Sequence, residues 1–96
     1  MKHQNPAMKR IRKSTILIVS CGNCKVDLIR YQKVGRGNLL RMYVERIIEA
    51  NIPITPTTTQ LICYNCHQEL AARIWIRRRG IDAFKMHRAT YNTRKE

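Results

Sequence analysis

Short runs of β-branched and aliphatic residues alternate with turn-forming residues along most of this chain, a pattern typical of β-structure. The run from Ser14 to Ser20 predicts a strand, and the imperfect alternation from Lys25 to Val34 predicts a second one. Gly35 to Asn38 predicts a tight reversal after that strand, because Gly and Asn tolerate positive φ. Asn51 to Gln60 contains two prolines and three consecutive threonines, so it predicts an extended loop.

The segment from Leu39 to Ala50 fits two interpretations. Its apolar residues Leu40, Tyr43, Val44, Ile47 and Ile48 recur at helical spacing. Leu40, Met42 and Val44 also satisfy the two-residue alternation of a strand. The preceding glycine turn favours a hairpin return strand at least through Val44, and the choice between helix and strand for residues 39–50 stays open.

A second hairpin is predicted near the C-terminus. Residues 71–78 alternate, which predicts Ala72, Ile74 and Ile76 on one side of a strand and Arg73, Trp75 and Arg77 on the other. Gly80 allows a turn, and residues 83–91 can return as a partner strand with Phe84 and Met86 inward.

The chain has 96 residues, which is one domain at most. Residues 1–13 are basic and poor in apolar groups, and they predict a disordered arm. Residues 14–91 form the predicted domain, and residues 92–96 form a frayed tail. The apolar run from Ile16 to Val19 is too short for a signal peptide or a membrane span, so we expect a reducing, cytoplasmic setting.

All four cysteines occur in two C-x-x-C pairs, Cys21 with Cys24 and Cys63 with Cys66. This spacing lets two thiolates point at one ion, and the two pairs together supply the tetrahedral sulfur set that Zn²⁺ prefers. We therefore predict one structural Zn²⁺ as the cofactor, with a rubredoxin-like iron site, disulfides or free thiols as alternatives. Residues 25–62 separate the pairs, so the intervening chain must fold back to bring them together.

Catalysis is not predicted. Four sulfurs leave no open coordination position on a metal, and His67, next to Cys66, is not expected to be a ligand. Neither C-x-x-C pair opens a helix in a βαβ unit, as a thioredoxin-type redox centre would. The six acidic residues are dispersed, so no nucleophile, base or small-molecule substrate is indicated.

Each C-x-x-C pair follows a short β-like run and is followed by a potential hairpin, and in this respect residues 14–90 resemble zinc-ribbon proteins with rubredoxin-like knuckles. The resemblance implies a Cys₄ zinc site at the tips of two hairpins. It also implies a role in transcription, translation or RNA handling. Many zinc ribbons carry Gly after the second cysteine of each knuckle, whereas this chain carries Lys25 and His67.

The composition is strongly basic, with 19 Lys and Arg against six Asp and Glu and a net charge of +13. Four thiolates and one Zn²⁺ would lower this to about +11. Such an excess attracts polyanions, and Arg is the better bidentate ligand for phosphate.

Two groups of residues are candidates for binding nucleic acid. The first surrounds a tryptophan that could stack on a base, and it comprises Arg73, Trp75, Arg77, Arg78, Arg79, Lys85 and Arg88. The second surrounds the glycine turn and comprises Arg30, Lys33, Arg36 and Arg41. RNA or a ribonucleoprotein is favoured over a defined DNA sequence because no recognition helix is apparent. The alternative function is a protein–protein adaptor that docks on an acidic partner.

Overall fold

All regular structure in the computed structural model, which describes residues 1–96, is β-strand apart from one 3-10 turn. The strands are β1 (His3–Gln4), β2 (Thr15–Cys21), β3 (Asp27–Lys33), β4 (Arg41–Tyr43), β5 (Ile47–Ala50), β6 (Gln60–Ile62), β7 (Glu69–Ile76), β8 (Ile81–Met86) and β9 (Tyr91–Lys95). They form a five-stranded sheet in the order β1-β5-β3-β2-β9 and a four-stranded sheet in the order β4-β8-β7-β6. Every pairing is antiparallel, so the prediction of a small, β-rich, antiparallel fold is confirmed.

One core joins the two sheets. A cluster of 17 buried residues takes side chains from both sheets, among them Val19 and Ile29 from the five-stranded sheet and Leu61 and Phe84 from the four-stranded one. The buried Tyr31 of β3 also links the sheets, because its hydroxyl accepts a hydrogen bond of 2.8 Å from the backbone N–H of Tyr43 in β4. Burial of this aliphatic and aromatic surface is the main favourable term for the fold.

Residues 39–50 contain no α-helix. They form β4, a 3-10 turn at Val44–Arg46, and β5. β4 pairs with β8 and β5 pairs with β3, so the turn carries the chain from one sheet to the other. The hairpin predicted across Gly35 to Asn38 is therefore wrong, because the strand after it joins the other sheet. Both edges of β3 are already occupied, by β2 and β5.

The alternation predicted for β7 is present, and its pairing with β8 decides which side faces the core. In the pairing of β7 with β8, Arg73 lies opposite Phe84, which is fully buried, and Trp75 lies opposite Asp82. Because paired residues share a face, Arg73 lies on the core side, Trp75 is on the same face but is 60% exposed, and Ile74 lies on the opposite face. Phe84 and Met86 are buried, so the prediction that they point inward is confirmed.

The two terminal segments lie along the five-stranded sheet. Residues 1–13, predicted as a disordered arm, include β1, which pairs with β5. The buried side chain of Gln32 accepts a hydrogen bond from the N–H of Ile11 and donates one to the carbonyl of Lys9. Residues 92–96, predicted as a frayed tail, belong mostly to β9, which pairs with β2. Both terminal segments are therefore ordered by contacts with residues far away in the sequence. The composition of a terminal segment does not reveal such contacts.

Candidate metal centre and basic surfaces

Each C-x-x-C pair forms the turn of a β-hairpin. Cys21 ends β2 and the chain reverses through Cys24 into β3, while Cys63 follows β6 and the chain reverses through Cys66 into β7. The two hairpins belong to different sheets. The cluster of four sulfurs therefore lies where one sheet meets the other.

The four sulfur atoms have the spacing of ligands around one ion. All lie within 4.8 Å of one another, and the Cys21–Cys66 and Cys24–Cys63 sulfurs are each 3.5 Å apart. A tetrahedron with metal–sulfur bonds of about 2.3 Å has edges of about 3.8 Å. A disulfide would require about 2.0 Å, and all four cysteines are free. The donor set thus fits one metal ion, and His67 lies outside it.

The backbone of the two turns has the same conformation. In the first turn, the N–H of Cys21 donates to Val26 and the N–H of Lys25 donates to Cys21, both at 3.0 Å. The second turn repeats these bonds through Cys63, Gln68 and His67, at 2.9 and 3.0 Å. The residue after the second cysteine has positive φ in both, 69° at Lys25 and 65° at His67. This is the left-handed conformation that glycine adopts most easily, which explains why glycine suits this position.

Two asparagines connect the turns to each other. The side-chain amide of Asn65 donates to the sulfur of Cys24, and this bond, with one from the N–H of Val26, lowers the pKa of the Cys24 thiol to about 6. Reciprocally, the Asn23 amide lowers the pKa of the Cys66 thiol. Hydrogen bonds to the charged form favour ionisation, so both contacts prepare a thiolate for a cation.

Cys63 has the opposite environment. Burial raises the pKa of its thiol to about 11, although the N–H groups of Asn65 and Cys66 favour the thiolate. A buried thiolate is stable only beside a compensating charge. Metal ligation supplies that charge, and a coordinated thiol is deprotonated.

The charged residues outside this cluster are unevenly matched. Five of the six side-chain carboxylates form ion pairs, with Lys9, Arg30, Arg73, Arg94 and the N-terminal amine, and the sixth, Glu69, forms a hydrogen bond with the His87 ring. The other 15 of the 19 Lys and Arg side chains have no carboxylate partner. The surface therefore carries a cationic excess that nothing within the chain neutralises.

Two of the arginines predicted around Trp75 have partners inside the protein. Arg73 is occupied within the fold, because its guanidinium binds Asp82 at 3.1 Å and donates to the carbonyls of Thr55 and Thr58. Arg79 lies over the Tyr43 ring and donates to its hydroxyl at 3.0 Å. These two arginines therefore contribute to the packing of the four-stranded sheet.

Trp75 itself is 60% exposed. It lines a shallow cleft of about 240 Å³ beside the N-terminal segment, together with Lys9 and Glu45, which form an ion pair. Arg77 and Arg78 are exposed in the turn between β7 and β8. The tryptophan thus lies in mixed rather than purely basic surroundings.

The remaining predicted residues separate into two places. Arg41 and Lys85 lie directly opposite each other on β4 and β8, on the outer face. Because like charges at directly opposite positions repel each other, this pair does not stabilise the sheet. Arg36 and Arg88 line one groove at the far end of β8, together with Lys33. Arg30 pairs with Glu49 and Glu96 and is not free.

Sequence reasoning did not identify Asn23, Asn65 or Lys95 as site residues. Both asparagines occupy the third position of a C-x-x-C pair, so comparing the two pairs would have identified them. Lys95 was assigned to the tail, and its place in the groove follows only from the pairing of β9 with β2.

No helix of the structure is long and apolar enough to cross a membrane. No protein-family model, curated protein or solved structure matches this chain. The site must therefore be interpreted from its own geometry.

Proposed function

We propose that this chain is a zinc ribbon in which Cys21, Cys24, Cys63 and Cys66 hold one Zn²⁺ with a structural role. The spacing of the sulfurs supports a single ion, and the all-cysteine donor set supports zinc. Bound Zn²⁺ would supply positive charge to four thiolates and crosslink the two hairpins. Four protein ligands leave no position for a substrate, which supports a structural rather than a catalytic metal.

We further propose that the zinc-stabilised fold binds nucleic acid, and RNA or a ribonucleoprotein in preference to a defined DNA sequence. The observation that carries this proposal is the charge balance: every side-chain carboxylate is ion-paired or hydrogen-bonded, and 15 cations have no carboxylate partner. A polyanion would neutralise these cations and release its counterions on binding. The chain also has no α-helix, the element that many sequence-specific proteins insert into the major groove of DNA.

The experiment is a salt titration of binding by metal-analysed protein. Protein purified without added zinc should contain one Zn²⁺ per chain by elemental analysis, and iron in its place would contradict the choice of metal. Binding to labelled RNA should then weaken linearly in log–log form as salt increases. Absence of RNA binding at low salt, with tight binding to a polyglutamate peptide, would favour the adaptor function.

A further inference from the structure

An open groove of about 1170 Å³ lies at one end of the five-stranded sheet. Its base includes Leu17, Leu39 and Met86, which are buried. One wall is the loop after β3, and the other is formed by the turn before β9 and by β9 itself. Sites for small molecules have volumes of about 300–1,000 Å³, so this groove has room for a segment of a polymer.

The lining of this groove is cationic and contains no carboxylate. Lys33, Arg36, Arg88 and Lys95 reach it from three parts of the chain, residues 33–36, the turn before β9 and β9 itself, and none of them has an ion-pair partner. A fifth cation, Arg94, is occupied by a bidentate ion pair with Asp27 at 2.7 Å. The fold thus gathers four free positive charges around one concavity, where their fields reinforce each other.

The loop wall exposes its backbone. Gly35 and Gly37 have φ of 81° and 100°, and a Cβ at either position would meet no atom within 4 Å. There is thus room for a side chain at both positions, and glycine is favoured there because of the positive φ. The unshielded amides of such a loop can approach a phosphate closely.

No aromatic ring in the groove is presented for stacking on a base. Its one aromatic residue is Tyr91, which is half-buried and whose hydroxyl donates a hydrogen bond to the carbonyl of Leu39. Trp75 lies in a different cleft. The groove therefore offers contacts to phosphates and few contacts that distinguish bases.

We propose that this basic groove binds the phosphodiester backbone of single-stranded nucleic acid, through Lys33, Arg36, Arg88 and Lys95 and the Gly35–Gly37 loop. This rests on the proposed nucleic-acid function and moves its site away from Trp75. A concave cationic channel suits a flexible strand, which can follow its curvature, better than a stiff duplex. Recognition is by charge and is independent of base sequence.

The test compares two triple variants that each remove two arginines and one lysine. The groove variant is Arg36→Gln, Arg88→Gln and Lys95→Gln, and the control is Arg77→Gln, Arg78→Gln and Lys85→Gln. None of the six side chains forms a hydrogen bond or ion pair within the chain, so both variants should fold as the parent does. Arg77 and Arg78 lie in the turn at the opposite end of β8 from the groove, and Lys85 lies on the outer face of β8, outside the groove lining.

The probe is a labelled oligouridine of about 12 nucleotides, titrated by fluorescence anisotropy at several salt concentrations. For the groove variant we expect affinity at least about tenfold lower at low salt and a log–log salt slope smaller by about 2, since each lost phosphate contact on a single strand contributes about 0.7. The control variant should keep the parental slope. Circular dichroism and zinc content establish that both variants are folded.

Four results would overturn the proposal. Equal flattening in both variants would mean diffuse binding over the whole surface, and flattening only in the control would place the site at the β7–β8 turn and the outer face of β8. In both cases the nucleic-acid function itself would survive. Tighter binding of a duplex of the same length would overturn the single-strand assignment. A parent protein that binds neither probe would refute the proposed function together with the groove.

Discussion

The hairpins β2–β3 and β6–β7 have the same local structure in different surroundings. Val19 pairs with Ile29 in the first hairpin, as Leu61 pairs with Ala71 in the second. In each, a register shift follows that pair directly. The turn hydrogen bonds, the positive φ and the reciprocal asparagine contacts also correspond.

The packing around the two turns is different. β2 and β3 are interior strands of the five-stranded sheet, whereas β6 is an edge strand of the other. Gly22 donates its N–H to the carbonyl of Thr90 at 2.8 Å, and a Cβ there would lie 2.9 Å from that backbone. The equivalent residue in the second turn, Tyr64, is 55% exposed. The shared features are those that position sulfur atoms, and the unshared features are those that attach each turn to the rest of the fold.

The largest effect should come from the sulfurs, and it should be equal in both hairpins. Binding of structural zinc contributes roughly 10–16 kcal/mol in small domains, more than the net stability of most of them. Cys21→Ser and Cys63→Ser should therefore each unfold the protein, as chelation should unfold the parent. Loss of chemical-shift dispersion in the NMR spectrum and loss of bound zinc would be measured together. A dispersed spectrum from either variant would show that the core folds without the metal.

The second effect should distinguish the hairpins. Gly22→Ala places a methyl group against the Thr90 backbone, and such overpacking costs about 1–3 kcal/mol. Tyr64→Ala removes an exposed ring and should change stability by less than about 0.5 kcal/mol. Thermal unfolding of the zinc-bound proteins measures both. Equal destabilisation by the two substitutions would mean that the second turn has a packing partner as close as Thr90.

The third effect should again be equal in both hairpins. Asn23→Ala and Asn65→Ala each remove an amide that lowers the pKa of a thiol in the other turn, Cys66 and Cys24 respectively. The thiol pKa then rises, so fewer thiolates are present at a given pH and protons compete better with the metal. Zinc affinity should fall about tenfold, and acid-induced zinc release should begin at a higher pH. Competition with a chromophoric chelator across pH measures both. If only one of the two substitutions weakens zinc binding, the two asparagines do not have equivalent roles.

The sequence predicts the features of this molecule that depend on neighbouring residues. The β-branched run before Cys21 predicts a strand, and β2 occupies it. The C-x-x-C spacing predicts which side chains converge, and the four sulfurs do so. Both predictions need only the propensity of a short segment or the known preference of an ion for its ligands.

Features that depend on strand pairing were not predictable in the same way. The alternation in β7 leaves apolar residues on both faces, and only its register with Phe84 determines that Arg73 faces the core. β4 follows a glycine turn and still leaves β3, because β5 occupies that edge. The groove combines cations from three segments, and no short window along the sequence contains them together.

The smallest effect should come from the residue after each second cysteine. Lys25 and His67 both have left-handed φ, which raises the energy of a residue with a Cβ by about 1–2 kcal/mol. Glycine relieves this strain, but its greater backbone freedom in the unfolded state costs about 0.5–1 kcal/mol of stability. A net stabilisation of about 0.5–1 kcal/mol is therefore expected.

The two positions should not respond equally to glycine. The Lys25 ammonium donates to the carbonyl of Gly22 at 2.8 Å, a bond that Lys25→Gly removes, whereas the His67 ring forms no such bond. His67→Gly should therefore raise the midpoint of thermal unfolding by about 2–6 °C, and Lys25→Gly by less.

The matched control is His67→Ala, which removes the imidazole and keeps the Cβ, so it should give no gain and leave zinc content near one per chain. A gain from His67→Ala as large as that from His67→Gly would assign the effect to the imidazole rather than to backbone strain, and loss of zinc from His67→Ala would make His67 a ligand.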